Sequence, residues 1–162
     1  MKVYDTSGTV LGSADTDRAP LASPSFTGTP LAPTAAHLTS SFQIATTAFV
    51  IGETVVWASV SGTTQTAITN KGYISLDTSL VTVTLPVTAS VGDSVSVTGQ
   101  GSGKWKLAQN SGQIINFLGT PTTTGATGYL AATTRYDCIT VRCVVANSTW
   151  TVENSVGAIT VA

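Results

Sequence analysis

Few side chains in this sequence could carry out acid–base, nucleophilic or metal chemistry. The one histidine is His37, so a multi-histidine zinc site within one chain is excluded and a Ser-His-Asp or Cys-His arrangement would depend on this residue alone. It lies in a proline-rich stretch, where a lone histidine is more often a spacer than a base. The run 99–103 is glycine-rich, but a strand pattern follows it rather than the helix of a phosphate loop. The sequence predicts no metal site and no cofactor.

Paired carboxylates are the remaining option for hydrolysis. Four acidic residues lie in the patterned part of the chain: Asp77, Asp93, Asp137 and Glu153. In principle they could pair across strands or subunits as acid and nucleophile. Asp77 and Asp93 adjoin turns, however, and we expect Asp137 and Glu153 to face solvent or to pair with Arg135 and Arg142. We therefore predict that the protein is not an enzyme.

Aromatic side chains suggest binding instead, because their faces can stack on sugar rings. Five are candidates: Trp57, Trp105, Tyr129, Tyr136 and Trp150. Trp105 and Trp150 share the alternating positions of Leu107 and Val152, which predicts that both are core residues. Tyr129 borders the threonine- and glycine-rich run 119–128, which we expect to be an exposed loop. The candidate receptor-binding residues are Tyr129, Thr122, Thr123, Thr124 and Thr127.

The elements that would hold these residues are strands. From Thr54 onward, apolar and hydroxyl residues alternate with a period of two, and glycine or proline follows at short intervals. This pattern predicts an all-β domain, a small antiparallel β-sandwich or barrel. The longest predicted strand, 136–146, returns through a two-residue loop, Asn147-Ser148, into 149–153. That pairing would place Arg142 opposite Glu153.

The first third of the chain has a different composition. Four of the six prolines fall between Pro20 and Pro33, and no charged residue occurs from Ala19 to Gly52. Because proline lacks the donor that helices and central strands need, we expect residues 19–36 to be extended and Ser41 to Ile51 to form a short helix. The predicted domains are therefore 1–52, an extended amino-terminal segment, and 53–162, a β-rich domain.

The overall composition excludes some partners and suggests another. Charged residues make up 9% of the chain and the net charge is −1, whereas 30 threonines and 17 serines supply the polar surface. A nucleic-acid binder needs clustered lysine and arginine, and no apolar run is long enough to span a bilayer. We therefore expect no nucleic acid and no membrane insertion. The apolar, uncharged amino-terminal segment is expected to be buried against other copies of the chain.

Two groups of motifs resemble a known protein family. The strings Leu21-Ala22-Ser23-Pro24-Ser25-Phe26-Thr27-Gly28-Thr29-Pro30 and Gln43-Ile44-Ala45-Thr46-Thr47-Ala48-Phe49-Val50 resemble a linker motif of tail fibre proteins from tailed bacteriophages. The later strings Trp105-Lys106-Leu107-Ala108-Gln109-Asn110-Ser111-Gly112-Gln113 and Arg135-Tyr136-Asp137-Cys138 are similar to the carboxy-terminal β domains of such fibres. Together the motifs span most of residues 20–162.

The resemblance implies a homotrimer on a threefold axis, located in the virion and assembled in the host cytoplasm. It also implies a stiff proximal segment, contact with other tail or baseplate proteins, and a distal domain that contacts the host surface. The β domain would then either bind a bacterial surface glycan or cap the fibre. The chain is far shorter than most fibres and shows neither coiled-coil heptads nor repeated shaft units, so it would be a small fibre, a tip or a fragment. Two alternatives are a tail-associated glycan depolymerase and a structural baseplate or collar component without a receptor.

Overall fold

A computed structural model of the chain describes residues 2–4, 6–8, 10–13, 32–36 and 55–162. Within these ranges the regular structure is entirely β, which confirms the all-β prediction and leaves no helix in the described part. The predicted helix at 41–51 and the histidine, His37, lie outside the described residues. The strands are β1 (Lys2–Tyr4), β2 (Val10–Ser13), β3 (Val56–Val60), β4 (Thr64–Thr66), β5 (Lys71–Ser75), β6 (Val81–Thr84), β7 (Ser94–Gly99), β8 (Trp105–Ala108), β9 (Ile114–Phe117), β10 (Thr120–Pro121), β11 (Tyr129–Ala132), β12 (Cys138–Val145), β13 (Thr149–Val156) and β14 (Ile159–Val161).

The β domain consists of two mixed sheets that enclose one core. The larger has seven strands in the order β10-β9-β13-β12-β7-β5-β3, and the smaller has five in the order β14-β11-β8-β6-β4. The alternation seen in the sequence decides which residues point inward: in β6 and β8 the valines, Trp105 and Leu107 are buried, and the residues between them are half-buried. The fully buried aromatic rings are those of Trp105, Trp150 and Tyr73, which confirms the core prediction for the first two.

The strand directions differ from the predicted antiparallel arrangement. From β3 to β8 the chain crosses from one sheet to the other at every connection, so successive strands within each sheet run the same way. The pairs β3–β5, β5–β7, β4–β6 and β6–β8 are all parallel. Antiparallel pairing begins where β12 joins β7 and β11 joins β8. Alternation with a period of two is the same for both directions, so the sequence pattern did not distinguish them.

The hairpin between β12 and β13 forms as predicted, but its register is shifted by one residue at Val145 and by two at Arg142, with an irregularity between Cys143 and Val145. Val145 pairs with Thr149 and Arg142 pairs with Thr151, and residues 146–148 make the turn. Asn147 has φ 61° in this turn, a left-handed conformation that asparagine tolerates better than most residues. A second irregularity between Thr140 and Val141 leaves Glu153 outside the one-to-one pairing.

The amino-terminal residues that the structure describes include an unexpected pair of strands. β1 and β2 form an antiparallel two-stranded sheet within the segment predicted to be extended. Residues 32–36 have no regular secondary structure. β1 and β2 pair with each other and add no strand to the two larger sheets.

Deletion of residues 1–40 is therefore expected to leave a folded β domain. The buried apolar residues of the described part all lie between Val60 and Trp150, so the deletion removes none of them. The far-ultraviolet circular dichroism spectrum of the deleted protein should keep its β form and a cooperative melting transition. Loss of that spectrum would contradict the domain boundary.

Candidate functional site

The predicted receptor-binding loop lies between β10 and β11, but one of its residues is not on the surface. Thr122 is buried, its hydroxyl donates to Gln109 Oε1 (2.7 Å), and its Oγ1 accepts a hydrogen bond from the Ile115 amide (2.9 Å). This side chain therefore anchors the loop to the domain. Thr122 is not part of the candidate binding surface.

The other threonines of the loop are exposed. Thr123, Thr124 and Thr127 face solvent, and the chain end anchors the loop beneath them. The carbonyl of Ala162 accepts hydrogen bonds from the amides of Thr123 and Tyr129. A Cβ on Gly128 would overlap the Thr123 carbonyl, so a tight backbone approach fixes the loop shape. The three hydroxyl groups therefore lie on a loop that backbone hydrogen bonds fix in position.

Tyr129 is less open than the sequence suggested. Its ring is half-buried on the outer face of the five-stranded sheet, and Lys106 Nζ lies 5.1 Å from the ring centroid, a cation–π contact. The same face carries threonines from three strands: Thr64, Thr66, Thr82, Thr84 and Thr160. This surface is rich in hydroxyl groups, but the Lys106 ammonium group covers a face of the Tyr129 ring.

A buried amide cluster under this loop was not predicted. Gln109 and Gln113 are almost fully buried, and the Gln113 side chain donates to the Pro86 carbonyl and accepts from the Asn110 amide. Gln109 also donates to the Thr123 carbonyl (2.8 Å). Buried amides of this kind rigidify a structure when their hydrogen bonds are satisfied. The only sequence signal was the position of the two glutamines, four and eight residues after the core residue Trp105.

The four acidic residues within the described range 55–162 lie in separate places. Asp77 accepts from the Ser79 amide, and Asp93 accepts from the Ser90 amide and the Asn70 side chain, as expected of turn residues. Glu153 forms the predicted ion pair with Arg142 (2.6 Å) on the exposed face of the hairpin. Each carboxylate thus has local donors. The structure does not bring them together as an acid and nucleophile.

Asp137 is the exception to its prediction, because it is buried and not solvent-facing. Burial opposes ionisation, but hydrogen bonds from the hydroxyl and amide of Thr134 and from Thr133 outweigh that effect and lower the pKa of the carboxyl group. Gly157 lies against the carboxylate with φ 93°, and a Cβ there would overlap it. The carboxylate therefore clamps the turn 133–136, and it is held ionised rather than ready to donate a proton.

The clamp gives a pH-dependent stability. A carboxyl group whose pKa is lowered by folding stabilises the protein above its ordinary pKa, and this contribution is lost as the pH falls through the folded value. We expect the Tm to fall as the pH drops below about 4. Asp137→Asn should cost about 1–3 kcal/mol at pH 7 and less at pH 3. Thermal melts at pH 7 and pH 3 measure the change, with Asp77→Asn as the control variant. The same loss of Tm in both variants at each pH would contradict the clamp.

The exposed tryptophan of the domain is Trp57, on the edge strand β3. The residue is 48% exposed, whereas the other two tryptophans are fully buried. A Cβ built on Gly72 would lie 2.4 to 2.7 Å from Cδ2, Cε3 and Cε2 of the indole. Because these atoms surround the ring fusion, the indole lies flat over Gly72 and its opposite face is open. We call Trp57 on Gly72 the indole platform.

The positions beside the indole platform carry small or polar side chains. Across the sheet, Gly72 pairs with Ser96, Ser96 with Thr140, and Thr140 with Asn154. Ser96, next to Gly72, is buried, and its hydroxyl pairs with that of the half-buried Thr140 (2.9 Å). Asn154 is exposed and lies four strands from Trp57. The row has no bulky side chain next to the ring. A flat aromatic face beside a polar sheet surface suits a ring-shaped ligand with one apolar face and hydroxyl groups at its edge.

Comparison with models of known protein families gives no match, and a search of curated proteins gives no significant one. The residues that the structure describes contain no cluster of three or more metal-ligating side chains. In the same ranges, no helix has the length and hydrophobicity needed to cross a membrane.

Proposed function

We propose that this chain is a tail fibre or fibre tip protein of a tailed bacteriophage, which attaches the virion to a saccharide on the host surface. The observation that carries the proposal is the indole platform. A large aromatic ring that is half exposed contributes less to folding than a buried one, and Gly72 provides the space for it to lie flat. Sugar rings present an apolar C–H face that packs on such a ring, and an oligosaccharide that continued across the sheet would meet the polar side chains of Thr140 and Asn154.

In this proposal the protein acts as a homotrimer and contacts other tail or baseplate proteins. An exposed apolar cluster at one end of the domain supports self-association: Val87, Val91, Val144 and Val145. The loop that carries Val87 and Val91 is tied to β12 by the hydrogen bond from the Gly92 amide to the Cys143 carbonyl, so the valines lie close together. Contiguous apolar surface of this kind is typical of protein contacts. Light scattering should give the mass of a trimer, and a monomer at micromolar concentration would contradict this part.

The attachment itself is tested by staining candidate host cells with the fluorescently labelled protein. We expect Trp57→Ala to reduce staining at least tenfold, because truncation of a dominant aromatic contact costs about 2 kcal/mol or more of binding free energy. The variant Val56→Ala, which shortens a neighbouring exposed residue, is the matched control and should stain normally. Full staining by a folded Trp57→Ala variant would overturn the platform as the receptor contact.

Two alternative functions would give different experimental results. Release of reducing ends from host polysaccharide, abolished by Glu153→Gln or Asp137→Asn while the trimer persists, would identify a depolymerase. We expect no such release, because Asp137 serves as a clamp and Glu153 is paired with Arg142. Absence of staining on every host, with incorporation into the tail, would identify a structural component without a receptor.

A further inference from the structure

A shallow groove at the end of the domain combines polar loops with an arginine. It has a volume of about 460 Å³ and is lined by Leu76, Thr78, Gln100, Gly101, Ser102 and Arg135. The loops that form it approach closely: a Cβ on Gly101 would overlap the Asp77 carbonyl, and the Gly101 amide donates to the Ser75 carbonyl. The floor of the groove is therefore fixed by backbone contacts rather than by flexible side chains.

The guanidinium of Arg135 is held at the edge of this groove. Nε and Nη2 both donate to the Gln100 carbonyl (3.1 and 2.8 Å), and Cζ lies 5.2 Å from the centroid of the Tyr136 ring. Among the described residues, no carboxylate lies within ion-pair distance of Arg135, and Nη1 has no hydrogen-bond partner. Arg142, by contrast, is paired with Glu153. Arg135 thus presents a positioned, uncompensated positive charge to solvent.

Tyr136 is placed beside the guanidinium by a strained backbone. Its φ is 66°, a region that bulky residues rarely adopt and that glycine or asparagine adopts at lower cost. The amide of Tyr136 donates to the Gly99 carbonyl (2.6 Å), and the Asp137 clamp fixes the turn before it. The side chain is 64% exposed, so it adds little to the core. A strained, exposed tyrosine on a rigid turn is a feature of binding sites.

The phenol of Tyr136 lies beside the guanidinium that lines the groove. Arg135 Nη2 lies 3.4 Å from the Tyr136 hydroxyl oxygen, which accepts from it, so the hydroxyl hydrogen remains available to a ligand. The free Nη1 and this O–H form two neighbouring donors, the arrangement that a carboxylate or phosphate accepts. Leu118 is also exposed with positive φ, at 89% exposure and 48°, but the structure gives it no charged partner.

We propose that the groove bordered by Arg135 and Tyr136 binds an anionic group of a surface saccharide, a uronic acid carboxylate or a sugar phosphate. The anion contacts Arg135 Nη1 and the Tyr136 hydroxyl, and the sugar lies over Gln100 and Ser102. This inference rests on the proposed attachment function and adds a charge preference to it. It uses residues separate from the indole platform.

The test is a nuclear magnetic resonance titration of the full chain with three probes: glucuronic acid, glucose 6-phosphate and glucose. We expect saturable shifts of the Arg135 Nε–H and Tyr136 ring signals with at least one acidic probe, and tenfold weaker or no binding of glucose. Comparison of the two acidic probes identifies carboxylate or phosphate as the preferred group. Equal affinity for glucose, or no shift with either acidic probe at 100-fold molar excess over protein or more, would overturn the proposal.

Variants separate this site from the rest of the fold. Arg135→Gln and Tyr136→Asn should each lower the affinity for the acidic probe at least fivefold. Asparagine adopts the left-handed conformation with less strain than tyrosine, so Tyr136→Asn should have a Tm no lower than that of the parent. Leu118→Asn introduces the same residue at another exposed position with positive φ, and this variant should bind the acidic probe as the parent does. Unchanged binding by both groove variants would overturn the inference. If those variants also stain host cells normally while Trp57→Ala does not, the attachment function stands and the groove proposal alone fails.

Discussion

Trp105→Ala is expected to lower the free energy of unfolding by about 3–5 kcal/mol, the largest stability effect that we predict for a single substitution. The ring is fully buried between the sheets, next to Gly99. Its Nε1 donates to the Asp137 carbonyl (2.8 Å), so the substitution also leaves a buried acceptor with one partner fewer. Urea unfolding followed by circular dichroism measures the change.

Ile68→Ala is the control for that experiment, because Ile68 is 58% exposed and its truncation should change stability by no more than about 0.5 kcal/mol. A Trp105→Ala protein that unfolds at the same urea concentration as the parent but no longer stains cells would move Trp105 from the core to the receptor site.

Gly72→Ala is expected to reduce cell staining at least tenfold while the domain remains folded. The strand backbone at Gly72 suits alanine, since its φ is not in the left-handed region, but the new methyl group would lie within 2.4 Å of the indole. The ring must therefore lift or rotate away, and the platform is lost although Trp57 is still present. Quantitative staining and a melting curve measure the two effects separately.

Gly62→Ala is the matched control, because a Cβ at Gly62 meets no atom within 4 Å and the residue has no positive φ. It should stain as the parent does. If Gly72→Ala also stains normally with an unchanged melting curve, the flat seat of the indole has no part in attachment.

The sequence pattern predicted those features that depend on local periodicity. Alternation identified the strands Val81–Thr84 and Ser94–Gly99, and the parity of Trp105 and Trp150 placed both rings in the core. The buried face was predicted correctly for the first strand, whereas in the second Ser94 and Ser96 are buried as well as the valines. Asp93 beside Gly92 was correctly assigned to a turn, where it accepts from the Ser90 amide. These properties are decided by residues a few positions apart, so they can be recognised without the tertiary structure.

Features that depend on which strands become neighbours could not be predicted. Parallel and antiparallel strands show the same alternation, and a three-residue turn with two strand irregularities changed the register of the hairpin that contains Arg142. Trp57 lies over Gly72 only because β3 and β5 pair in one particular register. Asp137 was expected at the surface because its donors, Thr133 and Thr134, have no motif that distinguishes a clamp from an exposed turn.

The most direct test of the attachment account is acrylamide quenching of tryptophan fluorescence, with and without polysaccharide extracted from a strain that the labelled protein stains. Trp57 is the one exposed tryptophan of the three, all of which lie in the described residues 55–162, so it should supply the quenchable emission. We predict that the polysaccharide protects this emission and that Trp57→Ala removes both the quenchable component and the protection. Emission that is already shielded in the purified protein, or that the polysaccharide leaves unprotected, would contradict the indole platform as the saccharide contact.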